Sequence, residues 1–456
     1  MNASYDVKFF ETYRNKSSKT PSYVVRWQVA GKRSSKTYRT KALAESFLSD
    51  LRQAAKRGEP FDVESGLPAS MIKAKSAQTV FDFVRAYIDM KWPFAAAKTR
   101  DSISDALSTV LPALTKDRPG RPDAETLRTA LRKCALIPAG KRPEPSPEMA
   151  RAVRWLEGAS LDLADLSETK TVRLALDALA LRLDGQAASA NTIRRKRAVL
   201  HAVLEYAVEL EELPSNPLHK VKWKPPKTTE TVDPRVVVNP RQAEELLTAV
   251  TYVGKRGRGR RLMALFACMY YAALRPGEAV ALRQQDCHLP ATGWGRLLVD
   301  VSRPEVNTQW TDSGDAHEER GLKHRGRDDV RPVPIPPALV KILRQHIEEF
   351  GVGSDGRIFR SERGGVVAST AYTEVWQEAR KLAFVPAQVA SPLARRPYDL
   401  RHAAVSLWLN AGVSAPDVAD RAGHSVDVLL RVYAKCLDGH LEIANRRIHE
   451  ALTYDL

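Results

Sequence analysis

The first forty residues alternate apolar or aromatic side chains with polar ones, which is the pattern of half-buried β-strands. Turn residues separate the stretches that show it, which are YDVKFFETY (5–13), PSYVVRWQVAG (21–31) and KRSSKTYRT (32–40). Apolar residues at helical spacing follow in KALAESFLSDLRQAAKRG (41–58). We therefore predict a strand-rich module with one helix over residues 1–60.

Residues 76–225 show the spacing of amphipathic helices almost throughout. Ser76 is the candidate N-cap of the first helix, and the strongest helix is SANTIRRKRAVLHAVLEYAVELEEL (189–213), with an Asn or Thr start signal. The Pro-rich and Lys-rich stretch 213–240 cannot be one continuous helix, so it is predicted to be an interdomain linker.

Residues 240–456 combine helical patterns with two strand-like stretches, GRLLVDVSR (295–303) and VRPVPIPP (330–337). The end of the chain, HLEIANRRIHEALTYDL (440–456), has the spacing of an amphipathic tail helix. The predicted fold class is mostly α with small β elements. It comprises a β-sheet-plus-helix module, a helical domain and a mixed α+β domain.

The charge of the chain points to a polyanionic partner. The formal net charge is +17 and the pI is about 9.7, which favours nucleic acid over a merely soluble basic enzyme. The four cysteines lie far apart without a CxxC pair, so neither a zinc knuckle nor a disulfide framework is expected. No run reaches the roughly 18 apolar residues of a membrane span, and a cytoplasmic protein without a bound metal or cofactor is expected.

Basic side chains mark three candidate DNA contacts. One is the cationic run near the start of the helix at 189–213, the second is the linker, and the third is the sheet face of the first module, where Lys and Arg alternate with Tyr and Trp. A solvated polar face is the alternative for the cationic run and for the sheet face. The candidate residues are Arg194, Arg195, Lys196, Arg197, Lys222, Lys224, Arg26 and Arg33.

Four further stretches carry candidate chemistry. In AALRPGEAVALRQQD (272–286), Arg275 follows an apolar helix, and Glu278 is close enough to hold its guanidinium. Lys323 lies on a basic turn between the two strand-like stretches. RRPYDLRHAAVSLWLNAG (395–412) and AGHSVDVLLRVYAK (422–435) contain the remaining candidates, which are Tyr398, Arg401, His424 and Tyr433.

In this order, these motifs resemble those of the tyrosine recombinase family, the phage-integrase-type enzymes. The family pattern is an Arg in A-L-R-x-G-E, a Lys on a β-hairpin, H-x-x-R, then G-H, and a Tyr nine or ten residues later. Arg275, Lys323, Arg401, His424 and Tyr433 match it, over about residues 240–440. The first half of the chain resembles the family only in layout, as an arm-binding-like module (1–60) followed by a core-site-binding domain (76–225).

The resemblance implies a site-specific recombinase that cuts DNA through a 3′-phosphotyrosine without metal or ATP. Tyr433 would be the nucleophile, with a phenol pKa lowered by nearby cations, and Arg275 and Arg401 would bind the non-bridging oxygens. His424 would donate to the same oxygens, and Lys323 would protonate the leaving 5′-oxygen.

The resemblance also implies partners. These are double-stranded DNA with attachment-type sites, a homo-tetramer on DNA that is a monomer or dimer when free, and an accessory DNA-bending or directionality protein. A phage or other mobile element is the expected source of the DNA. A type IB topoisomerase-like enzyme and a DNA-binding regulator with a dead site remain alternatives.

One position departs from the family pattern. The first residue of H-x-x-R is Tyr398, which cannot become a cation near neutral pH. His402 is not expected to replace it, because it follows Arg401 and would point off another side of the helix.

Overall fold

The computed structural model describes residues 3–15, 22–63, 65–68, 70–71, 78–224, 226–227, 231–322, 329–436, 445–446, 448–450 and 452. The chain divides into two compact units. The first comprises Met1–Pro93 and Ile103–Lys224, and the second comprises Phe94–Ser102 and Pro225–Leu456. No helix within the described ranges is long and apolar enough to cross a membrane.

The first unit begins with a small antiparallel sheet covered by a helix. Its strands are β2 (Val7–Phe9), β3 (Tyr13–Asn15), β4 (Ser22–Val29) and β5 (Lys32–Tyr38), and the helix is α1 (Lys41–Lys56). Two further strands, β1 (Ala3–Ser4) and β6 (Phe61–Asp62), pair with each other in a separate sheet. Strand β4 is central, since β2 and β3 pair with one of its edges and β5 with the other. Val25, Trp27 and Val29 alternate inward and form a buried core with Leu48 and Leu51 of α1.

The rest of the first unit is helical, as predicted. Its helices are α2 (Val80–Lys91), α3 (Ala97–Val110), α4 (Ala124–Ala130), α5 (Pro147–Ala159), α6 (Thr169–Ala180) and α7 (Ala190–Glu209), with α3 shared between the units. Two predicted starts were wrong. Thr79 rather than Ser76 caps α2, and Ser189 rather than an Asn or Thr caps α7, since each hydroxyl accepts the backbone N–H three residues on.

Among the described residues between Leu213 and Asn239, the regular elements are two short 3₁₀ turns, at Pro217–Lys220 and Pro234–Val236. This confirms that the segment 213–240 is not a continuous helix. The predicted domain boundaries at 60, 76, 225 and 240 stay predictions.

The helices of the second unit surround one buried helix. The helices are α8 (Pro240–Tyr252), α9 (Arg258–Tyr271), α10 (Pro276–Ala281), α11 (Pro337–Phe350), α12 (Ser369–Ala383), α13 (Pro386–Ala390), α14 (Asp399–Asn410), α15 (Ala415–Ala422) and α16 (Val426–Tyr433). Residues Ala264–Met269 of α9 are completely buried, so this helix forms the centre of the core. The fold class is mostly α with small β elements, as predicted.

The strands of the second unit form two small antiparallel sheets. They are β7 (Cys287–His288), β8 (Gly295–Val299), β9 (Val301–Ser302), β10 (Arg320–Gly321) and β11 (Arg331–Ile335). Strand β8 pairs with both β7 and β11, and β9 pairs with β10. The two predicted strand stretches are therefore confirmed as neighbours. The predicted tail helix falls largely outside the described residues.

Candidate active site

A tight turn after α9 places Arg275 and Glu278. Helix α9 ends at Tyr271, and Ala273 adopts a positive φ of 50°, a conformation that a non-glycine residue rarely takes. Arg275 then caps α10, and its backbone N–H donates to Glu278 Oε2 at 2.9 Å. The Arg275 side chain returns to the same carboxylate, with Nη1 donating to Oε1 at 2.7 Å. Glu278 thus fixes both the backbone and the guanidinium of Arg275.

Glu278 also binds a second arginine, which the sequence analysis did not single out. Arg331 at the start of β11 donates from Nη2 to Glu278 Oε2 at 2.7 Å, and both side chains are 2% exposed. Burial alone would raise the pKa of Glu278, but the charges of Arg331 and Arg275 outweigh it and lower the pKa to about 2. A signal was available, because Arg331 occupies an inward position of the alternating strand, in register with Val333 and Ile335.

Arg401 is completely buried at the first turn of α14. It donates to the carbonyl oxygens of Ala273 and Ala422, and its Nη2 donates to His424 Nε2 at 2.8 Å. Since a guanidinium has no acceptor, His424 accepts this bond, and its neutral ring then carries its proton on Nδ1. Burial and then the charge of Arg401 lower the pKa of His424 to about 3.

The carboxyl end of α15 receives all three guanidiniums. Arg331 and Arg401 donate to the carbonyl of Ala422, and Arg275 Nη2 donates to that of Gly423 at 2.8 Å. Cations favour such a helix end because its last carbonyl groups carry partial negative charge. Gly423 is required here on two grounds, since it ends the helix with a φ of 63° and a Cβ would collide with Arg331.

Arg275, Arg331, Arg401 and Glu278 will be called the arginine cluster. Its three guanidiniums and one carboxylate give it a formal charge of +2. The side chain of Arg275 is 23% exposed, so the cluster reaches solvent through this residue. A cluster with excess positive charge and one accessible guanidinium can bind an anion.

Tyr433 is the last residue of α16 and is 1% exposed. It packs with Leu429, Ala404 and Val405, and its ring centroid lies 6.1 Å from that of His424. We expected nearby cations to lower its pKa, and this expectation was wrong for the described state. Burial raises the pKa of the phenol well above its usual value, and the charge of Arg401 offsets this only in part.

His402 was also judged wrongly from the sequence. Its Nδ1 lies 3.0 Å from Tyr433 Oη, within hydrogen-bonding distance. Helix α16 packs along the side of α14 that carries His402, and sequence spacing alone could not reveal this packing. Tyr398 lies just before α14, and its ring makes a T-shaped contact with the His402 ring, with 5.1 Å between the ring centroids.

The structure therefore brings together five of the predicted residues, which are Arg275, Glu278, Arg401, His424 and Tyr433. Tyr398 joins them through the ring of His402, which it contacts. Lys323 lies outside the described residues, so its predicted role stays a prediction.

The cationic run on α7 does not form one phosphate-binding surface. The prediction that Lys196 contacts DNA is wrong for the described structure. Lys196 is buried, donates to Thr109 at 2.8 Å and lies 3.5 Å from Asp105. Arg195 forms an ion pair with the same carboxylate at 3.0 Å, and Arg197 stacks on Trp223 at 4.4 Å. Burying Lys196 against a carboxylate removes it from contact with a duplex.

Several other predicted DNA contacts are exposed. Arg194 on α7 and Lys222 and Lys224 after it are on the surface. Arg26 and Arg33 lie on the outer face of the first sheet, because Arg33 pairs across from Gln28, two residues from Arg26. Arg26 stacks on Tyr13 at 4.6 Å. Their role as DNA contacts stays a prediction.

Comparison with known proteins gives relatives over about half of the chain. No family model matches it. It is 23% identical over 246 residues to a Lactococcus lactis protein described as "Prophage ps2 probable integrase", covering 51% of this chain and 59% of the relative. It is also 23% identical over 274 residues to a "Tyrosine recombinase XerC-like" protein of Caldanaerobacter subterraneus, covering 55% and 64%.

This chain spans less than two thirds of the length of either relative. Among solved structures, the Tn1549 transposon integrase bound to transposon right end DNA matches with a TM-score of 0.47 and 17% identity, over 66% of this chain and 91% of that one. The curated relatives confirm the resemblance that the motifs indicated: this chain is similar to the tyrosine recombinases of the integrase type.

Proposed function

We propose that the protein is a site-specific DNA recombinase that cuts and rejoins DNA through a phosphotyrosine at Tyr433. The observation that carries this proposal is the position of the Tyr433 phenol beside Arg401, His424 and the rest of a cluster with excess positive charge. A nucleophilic hydroxyl beside guanidiniums suits attack on a phosphodiester, because negative charge grows on the non-bridging oxygens.

The reaction exchanges one phosphodiester for another. Tyr433 Oη forms a bond to phosphorus and loses its proton, and the bond from phosphorus to the 5′-oxygen breaks. Lys323 donates the proton that the leaving 5′-oxygen takes up. Bond energy is conserved, so the step needs no ATP and can run in reverse to rejoin strands.

Two donors are available to the transition state. Arg401 Nε and His424 Nδ1 are buried and have no hydrogen-bond partner within the described part of the chain. Buried donors without partners are costly in a folded protein and are often found where a ligand completes them. We assign them to the non-bridging oxygens of the scissile phosphate, with Arg275 as the third donor at the exposed edge.

The described state must open before it can react. Both Tyr433 and Arg401 are inaccessible to a DNA backbone, since their exposures are 1% and 0%. Helix α16 has only eight residues and carries Tyr433 at its end, so a small displacement of this helix brings the phenol to a phosphate.

The finer assignment rests on the relatives. The curated relatives carry the names of a prophage integrase and a XerC-like recombinase, so we assign integration or excision of a phage or other mobile element. Recombination between two duplexes needs four strand cleavages, hence four copies on DNA, with a monomer or dimer in the free state. We further propose that an accessory DNA-bending or directionality protein assists the reaction. The proposed location is the bacterial cytoplasm.

A nicked suicide substrate tests the proposal. Cleavage next to the nick releases a short strand and traps the protein on DNA, so the wild type is expected to give a covalent adduct without added divalent ion. Tyr433→Phe is expected to give none, and Tyr252→Phe, which changes an exposed tyrosine, is expected to match the wild type.

Two results would contradict the proposal. One is an adduct peptide that contains a tyrosine other than Tyr433, and the other is strand breakage that depends on a divalent ion. Relaxation of supercoiled DNA without exchange between two specific sites would replace the recombinase assignment with a topoisomerase-like one.

A further inference from the structure

An imidazole lies within hydrogen-bonding distance of the Tyr433 hydroxyl. His402 Nδ1 lies 3.0 Å from Tyr433 Oη, and the two ring centroids are 5.7 Å apart. When the imidazole proton is on Nε2, Nδ1 accepts this hydrogen bond from the phenol; with the proton on Nδ1 the direction is reversed.

Resting on the proposed function, we propose that His402 is the general base of the cleavage step. As Tyr433 Oη bonds to phosphorus, its proton passes to His402 Nδ1, and the bond to the 5′-oxygen breaks with a proton supplied by a different group. On rejoining, the imidazolium returns the proton to the phenol. Proton and charge therefore balance within the site.

The surroundings keep His402 neutral before the reaction. The groups that face it are Tyr433 of α16, His424 before α16, Tyr398 and Arg401 at the start of α14, and Arg396 in the preceding loop. Burial and then the charges of Arg401 and Arg396 lower the pKa of His402 to about 4, so the ring is free to accept a proton at neutral pH.

The same surroundings explain how so weak a base can accept the proton. A phosphate bound by Arg401 cancels the charge that opposes protonation of His402, so its proton affinity rises when DNA occupies the site. The proton then moves only in the loaded complex, and the phenol in the free protein stays protonated and unreactive.

Tyr398 supports this assignment. It occupies the position where the family pattern has His, yet a phenol has no ring nitrogen that can take up a proton. His402 lies one helical turn further along and contacts the Tyr398 ring at 5.1 Å, with an angle of 75° between ring planes. Tyr398 thus orients the base and is a positioning residue.

The pH dependence of adduct formation in a single turnover tests His402. Between about pH 6 and 9 the wild-type rate is expected to be nearly constant, because His402 is already deprotonated. His402→Asn keeps a polar group near Nδ1 but removes the base, so the rate is expected to fall about 10²–10⁴-fold at neutral pH. Its logarithm is expected to rise linearly with pH, because hydroxide must then remove the phenol proton.

A second measurement guards against a merely structural defect. Fluorinated tyrosine at position 433 has a more acidic phenol, so it is expected to accelerate His402→Asn strongly and the wild type little. His288→Asn, which changes an exposed histidine, is the matched control. A rate loss in His402→Asn that is equal at every pH and insensitive to fluorination overturns the assignment, as does an unchanged rate. If the wild type forms no adduct, the proposed function itself has failed.

A different cluster, in the first unit, carries an independent inference. His201 and Glu205 lie one turn apart on α7, and His219 lies on the 3₁₀ turn Pro217–Lys220. His201 Nε2 is 3.4 Å from His219 Nε2 and 3.5 Å from Glu205 Oε1, and His219 Nε2 is 4.0 Å from that oxygen. The three ligand atoms converge on one point.

We infer that this cluster binds a zinc ion. Tetrahedral zinc with bonds of about 2.0–2.1 Å places neighbouring ligand atoms about 3.3–3.4 Å apart. Two of the three spacings, 3.4 and 3.5 Å, are close to this value, and the third, 4.0 Å between His219 and Glu205, is longer. Two imidazoles and one carboxylate are a ligand set that suits zinc, and water can complete it. Asn216 Nδ2 donates to Glu205 Oε1 at 2.6 Å and orients the carboxylate, as outer partners of metal ligands do.

Bound zinc would tie the turn at 217–220 to α7, just before Lys222 of the predicted DNA-contacting linker. The probe is zinc alone, titrated into the metal-free full chain in competition with a chromogenic chelator. One equivalent is expected to bind with a dissociation constant below about 1 μM, and Co²⁺ is expected to give the visible bands of tetrahedral coordination.

Matched variants decide between zinc binding and a simple pair of imidazoles. His219→Ala and Glu205→Gln are expected to weaken binding at least tenfold, and His288→Ala is expected to leave it unchanged. Absence of stoichiometric zinc binding, or binding that survives His219→Ala, overturns the inference. None of these outcomes depends on recombinase activity.

Discussion

Two carboxylates in this protein each hold several cations, with different consequences. Asp105 on α3 binds cations from α4, from the π-helical turn Leu131–Ala135 and from α7, and its side chain is 19% exposed. Glu278 on α10 binds arginines from two other segments and is almost completely buried. The cations around Asp105 are Arg128 at 2.6 Å, Arg195 at 3.0 Å, Arg132 at 3.4 Å and Lys196 at 3.5 Å.

The cluster around Asp105 fixes helices to one another. Burial raises the pKa of this carboxyl group, but the hydrogen bond from Arg128 and the charge of Lys196 lower it by more. The net shift of the pKa is therefore downward. Its long side chains reach from three helical segments to one point and keep partial contact with water. Such an arrangement orders a helical unit and needs no ligand.

The arginine cluster differs because its donors are not all used. Arg401 Nε has no hydrogen-bond partner among the described residues, and Tyr433 and two histidines lie beside the guanidiniums. Excess cationic charge next to a protected nucleophile suits a reaction on an anion, while paired charge between helices suits packing. A run of basic letters in the sequence does not distinguish these two uses.

The largest expected effect is on stability, from neutralising one carboxylate at a time. Glu278→Gln keeps the shape of the side chain but removes the buried negative charge that binds Arg331 and Arg275, so the free energy of unfolding is expected to fall by about 3–5 kcal/mol. Asp105→Asn is expected to cost about 1–3 kcal/mol, because its partly exposed partners can turn to water. Urea unfolding measures both.

Glu245→Gln is the control, because Glu245 forms an exposed pair with Arg241 and its loss is expected to change stability by less than about 0.5 kcal/mol. Equal losses at Glu278 and Asp105 would remove the distinction between the two clusters.

The next effect is a loss of stability in acid that belongs to the arginine cluster. His402 and His424 have pKa values of about 4 and 3 in the folded protein, against an ordinary value near 6.5. As pH falls below about 6.5 the unfolded chain takes up protons that the folded chain refuses, so stability falls until about pH 4. One pKa unit is worth about 1.4 kcal/mol, so we expect a loss of up to about 3 kcal/mol for each histidine.

Urea midpoints measured between about pH 7.5 and 4 test this. His424→Asn is expected to reduce the slope of the unfolding free energy against pH by the contribution of one protonated histidine. His288→Asn is expected to leave this slope unchanged. A variant that follows the wild-type curve in acid would show that His424 is protonated in the folded protein as readily as in the unfolded chain.

Most of the fold was predictable because it depends on local patterns. Alternation located β4 and β5, and apolar patterning located α7, α9 and α14, because each of these signals lies within the element itself. The exact caps were missed at Thr79 and Ser189, where several candidate hydroxyl and amide side chains compete within a few residues.

The site was only partly predictable, because motif letters give identities and not contacts. The motifs led to Arg275, Arg401, His424 and Tyr433, which the structure brings together. They did not reveal the hydrogen bond of His402 or the ion pair of Arg331, since each depends on which helix or strand packs alongside. The pKa of Tyr433 was misjudged because its burial outweighs the nearby positive charge.

The smallest expected effect sharpens the comparison on the surface of α7. Arg194 is exposed and Lys196 is buried against Asp105, although only one residue separates them in the sequence. If Arg194 contacts a DNA phosphate, Arg194→Ala is expected to lower affinity several-fold and to reduce the slope of log affinity against log salt by about 1. Lys196→Met is expected to leave that slope unchanged, because a buried cation releases no counterion from DNA.

Filter binding or fluorescence anisotropy with one duplex over a range of salt concentrations gives both slopes, and Lys341→Ala on α11 serves as an exposed lysine outside the predicted DNA contacts. A smaller slope for Lys196→Met than for Arg194→Ala would mean that Lys196 leaves Asp105 to reach the duplex. The cations around Asp105 would then leave this carboxylate when DNA binds. In that case the two clusters would differ only in how accessible their cations are to DNA.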